Sequence, residues 1–378
     1  MQNKQFSVPE EIFDPESRIS RILEETTQRQ AFSELEKPAE YSIERLARLL
    51  SPAASANLED MARQAKDMTL RRFGRARQLY APLYVSNYCQ NNCAYCGFNF
   101  THKFKRTRLS IDQAVKEAEA IRSMGFRHIL LLSGEDPDYA SVEYFEELAG
   151  RIRKLFAAID IEIYPCSEEN YERLYNAGID GITIYQETYD RSIYSKLHTK
   201  GPKKDYNWRL HTPQRAAESG FRRIGLGSLL GISDWRKETL AMAEHGNFFI
   251  KNFWKSQVSI SFPRIRPAEQ VDPQDFVSFV SDRETVQMML ALRLCFPDIG
   301  ITISTRETSE FRENTLSICV TRISAGSKTN PGGYAGSENE TVSQFEIDDD
   351  RTPEDVAKVI SQMGFEPVWK DWDEGFSD

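Results

Sequence analysis

A chain of 378 residues with 40% hydrophobic and 28% charged residues has the make-up of an ordinary globular protein, which excludes a fibrous or disordered chain. Its 48 basic and 57 acidic residues give a formal charge of −9, a balance that repels phosphate backbones and argues against a nucleic-acid partner. No stretch has the apolar length of a bilayer span, and Met1 to Glu11 lack the apolar core of a secretion signal, so the expected location is cytoplasmic.

In chain order, residues 1–81 read as a helical N-terminal extension in which Leu46, Leu49, Leu50 and Leu58 offer apolar contacts. Arg71, Arg72, Arg75 and Arg77 read as a solvated helix face. From Pro82 one unit repeats: a short run rich in Val, Ile and Leu, a polar loop, then a segment with helical spacing. Eight such runs occur, at Pro82 to Tyr88, Arg127 to Leu132, Ile159 to Tyr164, Gly181 to Tyr185, Arg222 to Leu226, Gln257 to Phe262, Ile299 to Ser304 and Leu316 to Ile323. Short apolar runs between helices are the pattern of buried parallel strands. The fold class is therefore α/β, a (β/α)8 TIM-type barrel over 82–324; an open doubly wound sheet would give similar local signals.

Helix signals support the repeat. Ser110 and Gln113 read as a capping box, while Thr212-Pro213 and Asp272-Pro273 each place a cap before a proline. Gly125-Phe126, Gly178-Ile179 and Gly220-Phe221 each close a helix just before a strand. Residues 325–378 read as a C-terminal tail of loop and helix packed on the barrel, with a cap at Thr352-Pro353 and an aromatic run from Pro367 to Trp372 that packs onto the core.

Six cysteines without an export signal argue against a disulfide scaffold. Cys166, Cys295 and Cys319 lie in apolar runs and read as inert buried thiols. Cys89, Cys93 and Cys96 directly follow the first strand, at the end of the barrel where chemistry gathers. Three soft thiolates suit zinc or an iron–sulfur cluster and leave one metal position without a protein ligand. The alternative is a structural zinc site completed by His102, which would make the chain a scaffold or binding protein. Polar groups at the ends of later strands, Ser133-Gly134-Glu135-Asp136, Gln186-Glu187-Thr188, Thr305-Arg306-Glu307 and Ser324, would have no part in such a zinc site. Singly, each has a plainer reading: Gly134 a turn, Glu187 a solvated carboxylate, Arg306 a partner for Glu307.

The spacing of these cysteines, with Tyr95 before the third, resembles the hallmark of the radical S-adenosylmethionine superfamily. The resemblance implies one [4Fe-4S] cluster on Cys89, Cys93 and Cys96, with S-adenosylmethionine chelating the fourth iron. It implies further that Ser133, Gly134 and Glu135 hold the methionine amino group, and that Glu187 and Arg209 position the ribose and carboxylate. Ile224 to Ser228 resembles the strand that lies against the adenine.

A narrower likeness covers nearly the whole chain. Tyr185 to Asp190, Ile303 to Glu307, Ser324 to Lys328 and Pro367 to Trp372 are similar to the 2-iminoacetate synthase (ThiH) family of thiamine biosynthesis. That resemblance implies a lyase that cleaves the Cα–Cβ bond of L-tyrosine, giving 2-iminoacetate, p-cresol, methionine and 5'-deoxyadenosine. It implies the thiazole synthase ThiG as partner and an electron donor such as flavodoxin or ferredoxin. The tyrosine carboxylate needs a bidentate cation, for which Arg306 is the candidate, with Ser324 as a second contact. The related tyrosine lyase HydG carries a second cluster on a cysteine-bearing C-terminal domain, whereas no cysteine follows Cys319 here.

Overall fold

The computed structural model describes residues 5–276, 278–336 and 341–370. Eight parallel strands pair in chain order: β1 (Ala76–Ser86), β2 (His128–Ser133), β3 (Ala158–Glu162), β4 (Gly181–Glu187), β5 (Arg223–Ser228), β6 (Gln257–Ser261), β7 (Gly300–Ile303) and β8 (Arg322–Ser324). Because β1 pairs with both β8 and β2, the sheet closes into the expected (β/α)8 barrel. A ninth strand, β9 (Glu366–Val368), runs parallel to Ala76–Gln78 at the start of β1.

The alternation of side chains along each strand sorts two environments. Ile129 and Leu131 of β2 join the large core under the helices, whereas Leu130 and Leu132 pack with Tyr80, Tyr84 and Phe98 inside the ring. Nearer the strands' N-terminal ends, Asp160 accepts from Arg223 Nε at 3.0 Å and Arg322 Nη2 at 2.8 Å, and His128 Nε2 lies 2.7 Å away. This buried ionic knot lies at the end of the barrel opposite the cysteine loop.

Local chemistry sets the element ends. Both halves of the Ser110–Gln113 capping box form. Gly125, Gly178 and Gly220 share φ +103°, a left-handed conformation that reverses the chain from helix into strand without a Cβ penalty. Thr212 is not a cap: its hydroxyl donates to Trp208 O at 2.9 Å, because the helix Thr212–Glu218 follows the turn Tyr206–Leu210 directly. Asp272 caps only a single 3-10 turn, Pro273–Asp275.

The first and last strands depart from the apolar runs. β1 begins at Ala76 rather than Pro82, because β9 pairs with its polar first residues. Arg77 therefore lies on a strand and is fully buried, donating to Leu316 O at 3.2 Å and stacking over Phe365, while Arg71, Arg72 and Arg75 are exposed. In the last run, Leu316 ends the helix Ser309–Leu316 and Cys319 and Val320 are buried in a turn, so β8 is only Arg322–Ser324.

Before β1, the helices Ile43–Leu50 and Leu58–Phe73 pack on the barrel's outer helices; Leu46, Leu49 and Leu50 are fully buried and Leu58 is half-buried. After β8, Thr352 caps the helix Pro353–Gln362. Trp369 packs edge-on against Phe126, as expected of a core tryptophan, whereas Asp371 and Trp372 lie outside the described residues. Cys166, Cys295 and Cys319 are buried free thiols. Among the described residues no helix is long and apolar enough to cross a membrane.

Candidate active site

The turn after β1 carries Cys93, buried, and Cys89 and Cys96, half-buried. Backbone bonds shape it: Cys96 N donates to Cys93 O at 3.3 Å, and Asn99 Nδ2 donates to the same carbonyl at 2.9 Å. Arg106 then ties both ends together, donating to Asn87 O at 2.6 Å, Phe98 O at 2.9 Å and Asn99 O at 2.6 Å.

Gly134 fixes how closely β2 approaches this turn. Its N–H donates to Ser86 O at 2.8 Å, and a Cβ there would sit 2.1 Å from Tyr88 O, one residue before Cys89. Since the obstacle is backbone, Gly134→Ala is expected to push the turn outward and to cost roughly 1–3 kcal/mol of overpacking strain. Iron bound after reconstitution should fall with it; full iron content in a stable variant would show that the turn tolerates the displacement.

Beside the cysteines lies a buried quartet of charges. Lys203 Nζ donates to Glu187 Oε1 at 2.7 Å and Arg209 Nη1 to Glu135 Oε1 at 2.8 Å, and each cation lies 3.6 Å from the other carboxylate. Burial alone would raise both carboxyls, but the two cations outweigh it and hold Glu135 and Glu187 below the usual range. Asn91 Nδ2 donates to the second oxygen of Glu135 at 2.9 Å. Glu187 has φ +68°, a left-handed conformation rare for a residue with a side chain and held here by the surrounding bonds. It is thus no solvated loop carboxylate.

Tyr95 and His198 close one wall, with the hydroxyl 2.6 Å from Nε2. His198 Nδ1 faces Tyr194 O at 2.8 Å, so Nδ1 carries the proton and Nε2 accepts from Tyr95. Burial, and next the Lys203 cation, push this imidazole down to about 3, which keeps it neutral.

The cavity by the cysteines adjoins a second one that reaches deeper into the barrel: Tyr84, Tyr95, Cys96, Leu132, Glu162 and Glu187 line both. The deeper cavity holds Arg306 and Ser324 and is walled by Tyr80, Tyr84, Tyr185 and Phe345. Arg306 is half-buried, its guanidinium stacked 3.3 Å from the centre of the Phe345 ring. Glu307 does not pair with it, being held by Arg264 at 3.0 Å. Ser324 Oγ accepts from Thr305 N at 3.1 Å, which positions the turn bearing Arg306. Gly227 of β5 leaves room for Tyr185, whose Cδ1 would be 2.3 Å from a Cβ at that position.

Several residues of this arrangement went unread in the sequence. Lys203 hides in a polar run, with Lys204 beside it exposed. Gln344 reaches over from the tail, its amide 3.9 Å from Cys96 Sγ and its oxygen accepting from Tyr84 OH at 2.7 Å. Glu162 ends β3; burial, and next the Glu187 carboxylate, push it up to about 7 against the pull of Arg306. A carboxylate inside an apolar run was its signal.

The donor set fits an iron–sulfur cluster. Three thiols from one turn with no carboxylate between them are soft ligands, and burial pushes Cys89 up to about 12 and raises Cys93 and Cys96, so their thiolates call for a cationic centre. Ser133 Oγ, in the same cavity, is buried with no hydrogen-bond partner among the described residues, an open acceptor for an ammonium group. Among the described residues His102 is not gathered with these thiols into a metal site, and its Nδ1 faces Gly97 O at 3.2 Å.

Comparison with known proteins agrees with this geometry. Residues 83–244 match the Radical SAM superfamily and residues 261–366 the Biotin and Thiamin Synthesis associated domain. The 2-iminoacetate synthase of Salmonella typhimurium is 43% identical over 89% of this chain and 88% of its own length, and that of Escherichia coli is 42% identical over 86% of each. The crystal structure of HydG, a maturase of the [FeFe]-hydrogenase, superposes with a TM-score of 0.89 at 32% identity, covering 96% of this chain and 81% of HydG. By sequence, the chain belongs to the 2-iminoacetate synthase family of the radical SAM superfamily.

Proposed function

We propose that this chain cleaves the Cα–Cβ bond of L-tyrosine to 2-iminoacetate and p-cresol, as a radical SAM lyase of thiamine thiazole synthesis with one [4Fe-4S] cluster on Cys89, Cys93 and Cys96. When bound, the cluster and S-adenosylmethionine would supply a 5'-deoxyadenosyl radical able to take a hydrogen atom from the tyrosine amino group. The observation that supports the reading is the lining shared by the two cavities, one holding Arg306 and Glu162 and the other the three cysteines.

The residues divide the work. Ser133, Gly134 and Glu135 receive the methionine ammonium, while Glu187 and Arg209 orient ribose and carboxylate, with Lys203 keeping the quartet neutral. Arg306 binds the tyrosine carboxylate, with Ser324 setting the turn beneath it. Tyr80, Tyr84, Tyr185 and Phe345 enclose the phenol ring and exclude water from the reacting centre. Glu162 faces the ammonium and takes one of its protons, so that the amine is neutral when it loses hydrogen.

Glu162→Gln should therefore lower turnover by ~10²–10⁴-fold, the range of general-base catalysis. The sign of the pH dependence follows from the raised carboxyl: below about 7 it holds its proton and cannot accept another, so kcat/KM should rise through that pH. The variant should lose this limb; an unchanged pH profile would place the base elsewhere.

Because 2-iminoacetate hydrolyses readily, its consumer is best placed alongside, which supports the thiazole synthase ThiG as partner. A low-potential carrier such as flavodoxin or ferredoxin supplies the electrons. Six free cysteines support a reducing, cytoplasmic setting. The test is anaerobic incubation of the reconstituted chain with tyrosine, S-adenosylmethionine and dithionite. p-Cresol and glyoxylate, the hydrolysis product of the imine, are expected; carbon monoxide or cyanide would point to HydG-type chemistry, and no tyrosine cleavage would end the proposal.

A further inference from the structure

We infer that the face built from residues 92–108 and 191–204 is the docking surface of a small acidic one-electron carrier protein. The inference rests on the function proposed above, because only a redox centre at the cysteine turn needs such a partner.

Charge on this chain is unevenly spread. Overall it is −9, yet between Cys89 and Ser110 stand Lys103, Lys105, Arg106 and Arg108 with no Asp or Glu. From Arg191 to Lys204 stand five cations, again with no carboxylate. The two segments are distant in sequence and joined in space: Asn92 N donates to Lys200 O at 3.1 Å, Ala94 N to Leu197 O at 3.3 Å, and Asn92 Nδ2 to Thr199 Oγ1 at 2.9 Å.

Arg106 and Lys203 point inward and serve the site, while Lys103, Lys105, Arg108, Lys196, Lys200 and Lys204 are exposed. None of these six makes an ion pair among the described residues, whereas Arg151, Arg173 and Arg351 elsewhere on the surface are matched by carboxylates. An uncompensated cationic face on an anionic protein attracts an acidic partner and orients it as it arrives.

Beside these cations, next to the cysteine turn, stand two exposed apolar side chains. Phe100 is 46% exposed with Lys200 Nζ 4.1 Å above its ring, and Ala94, next to Cys93 in the chain, is exposed as well. Phe100 N donates to Asn91 O at 2.9 Å and Asn99 Nδ2 to Cys93 O at 2.9 Å, so only a few bonded groups separate the surface from a ligand sulfur. Exposed apolar groups beside cations suit a transient complex that passes one electron. In that step the carrier is oxidised by one electron and the cluster reduced by one, with no bond made or broken in the carrier.

The test uses reconstituted holoenzyme and flavodoxin as the acidic carrier, with binding followed by calorimetry. Wild-type Kd should rise at least ~10-fold between 50 and 300 mM salt, as screening of exposed charges requires. The triple variant Lys103→Glu, Lys105→Glu, Arg108→Glu should weaken binding by a similar ~10-fold or more at low salt. Lys196→Glu with Lys200→Glu should do so independently, while Arg63→Glu with Lys66→Glu, on the helix Leu58–Phe73, should not. Dithionite-driven formation of 5'-deoxyadenosine should stay at the wild-type level in all of them. Salt-independent binding, or binding that resists both reversals, would overturn the inference. If one reversal also impairs the dithionite-driven reaction, the wild-type salt series and the other reversal decide. Charge-dependent docking in a protein unable to cleave tyrosine would leave this surface standing and remove the proposed substrate.

Discussion

Replacing Cys93 by alanine is expected to abolish the cluster and with it all cleavage of S-adenosylmethionine. Reconstituted wild-type protein should bind about four irons per chain, the content of one [4Fe-4S] centre, and the variant close to none. The reason is the ligand count: the turn contributes three thiols, and Cys93 is the most enclosed of them, its backbone lying alongside that of His198 and its carbonyl accepting from Cys96 and Asn99. Removing one thiolate leaves two soft ligands, too few to hold the cubane in place. Cys295→Ala is the matched control, because that thiol is equally buried in the helix Asp282–Cys295 and far from the turn in sequence. It should keep its iron. A Cys93→Ala protein that retains its iron and its activity would mean that the cluster sits elsewhere.

The second large effect is expected at Arg306. Arg306→Ala should weaken tyrosine binding by roughly 2–5 kcal/mol, the cost of stripping one partner from a buried charge pair, or roughly 30-fold to several thousand-fold in Kd. Burial lowers the affinity of this guanidinium for its proton, so an incoming carboxylate restores what desolvation removes. Phe345 holds its plane from one side and Ser324 fixes the turn below. S-Adenosylmethionine binding should change far less, since among the described residues no hydrogen bond or ion pair joins Arg306 to the quartet of Glu135, Glu187, Lys203 and Arg209, and only the longer-range field of Glu187 reaches it. Equilibrium dialysis with labelled tyrosine separates the two ligands, and an unchanged tyrosine Kd would move the carboxylate site.

Periodicity made the barrel legible because buried parallel strands between amphipathic helices read as short apolar runs, and glycine C-caps repeat ahead of them. Where it misled, the cause was tertiary. β1 extends to Ala76 because β9 supplies a partner for Arg77 and Gln78, and that pairing spans most of the chain. Leu316 to Val320 reads like a strand yet is a buried helix end and turn, a difference that hydrophobicity alone does not encode.

At the site, spacing exposed the cysteines, and position at strand ends exposed Glu135, Glu187, Arg306 and Ser324. Lys203 escaped because two adjacent lysines face opposite ways, one into the quartet and one into solvent. Gln344 and Phe345 escaped because nothing local in the tail predicts that it folds back over the barrel mouth. Glu162 carried a signal, a lone acid in an apolar run, but only the neighbouring Glu187 and Arg306 give it a role.

Electron–nuclear double resonance on the reduced, reconstituted protein, with S-adenosylmethionine labelled with 15N at the amino group and 17O at the carboxylate, reports whether an iron is left open for that molecule. Docking on an iron that no protein ligand occupies predicts hyperfine coupling to both labels, lost in Cys93→Ala. A reduced cluster that shows neither coupling, or a colourless protein holding one zinc, would rule out an open iron on this turn.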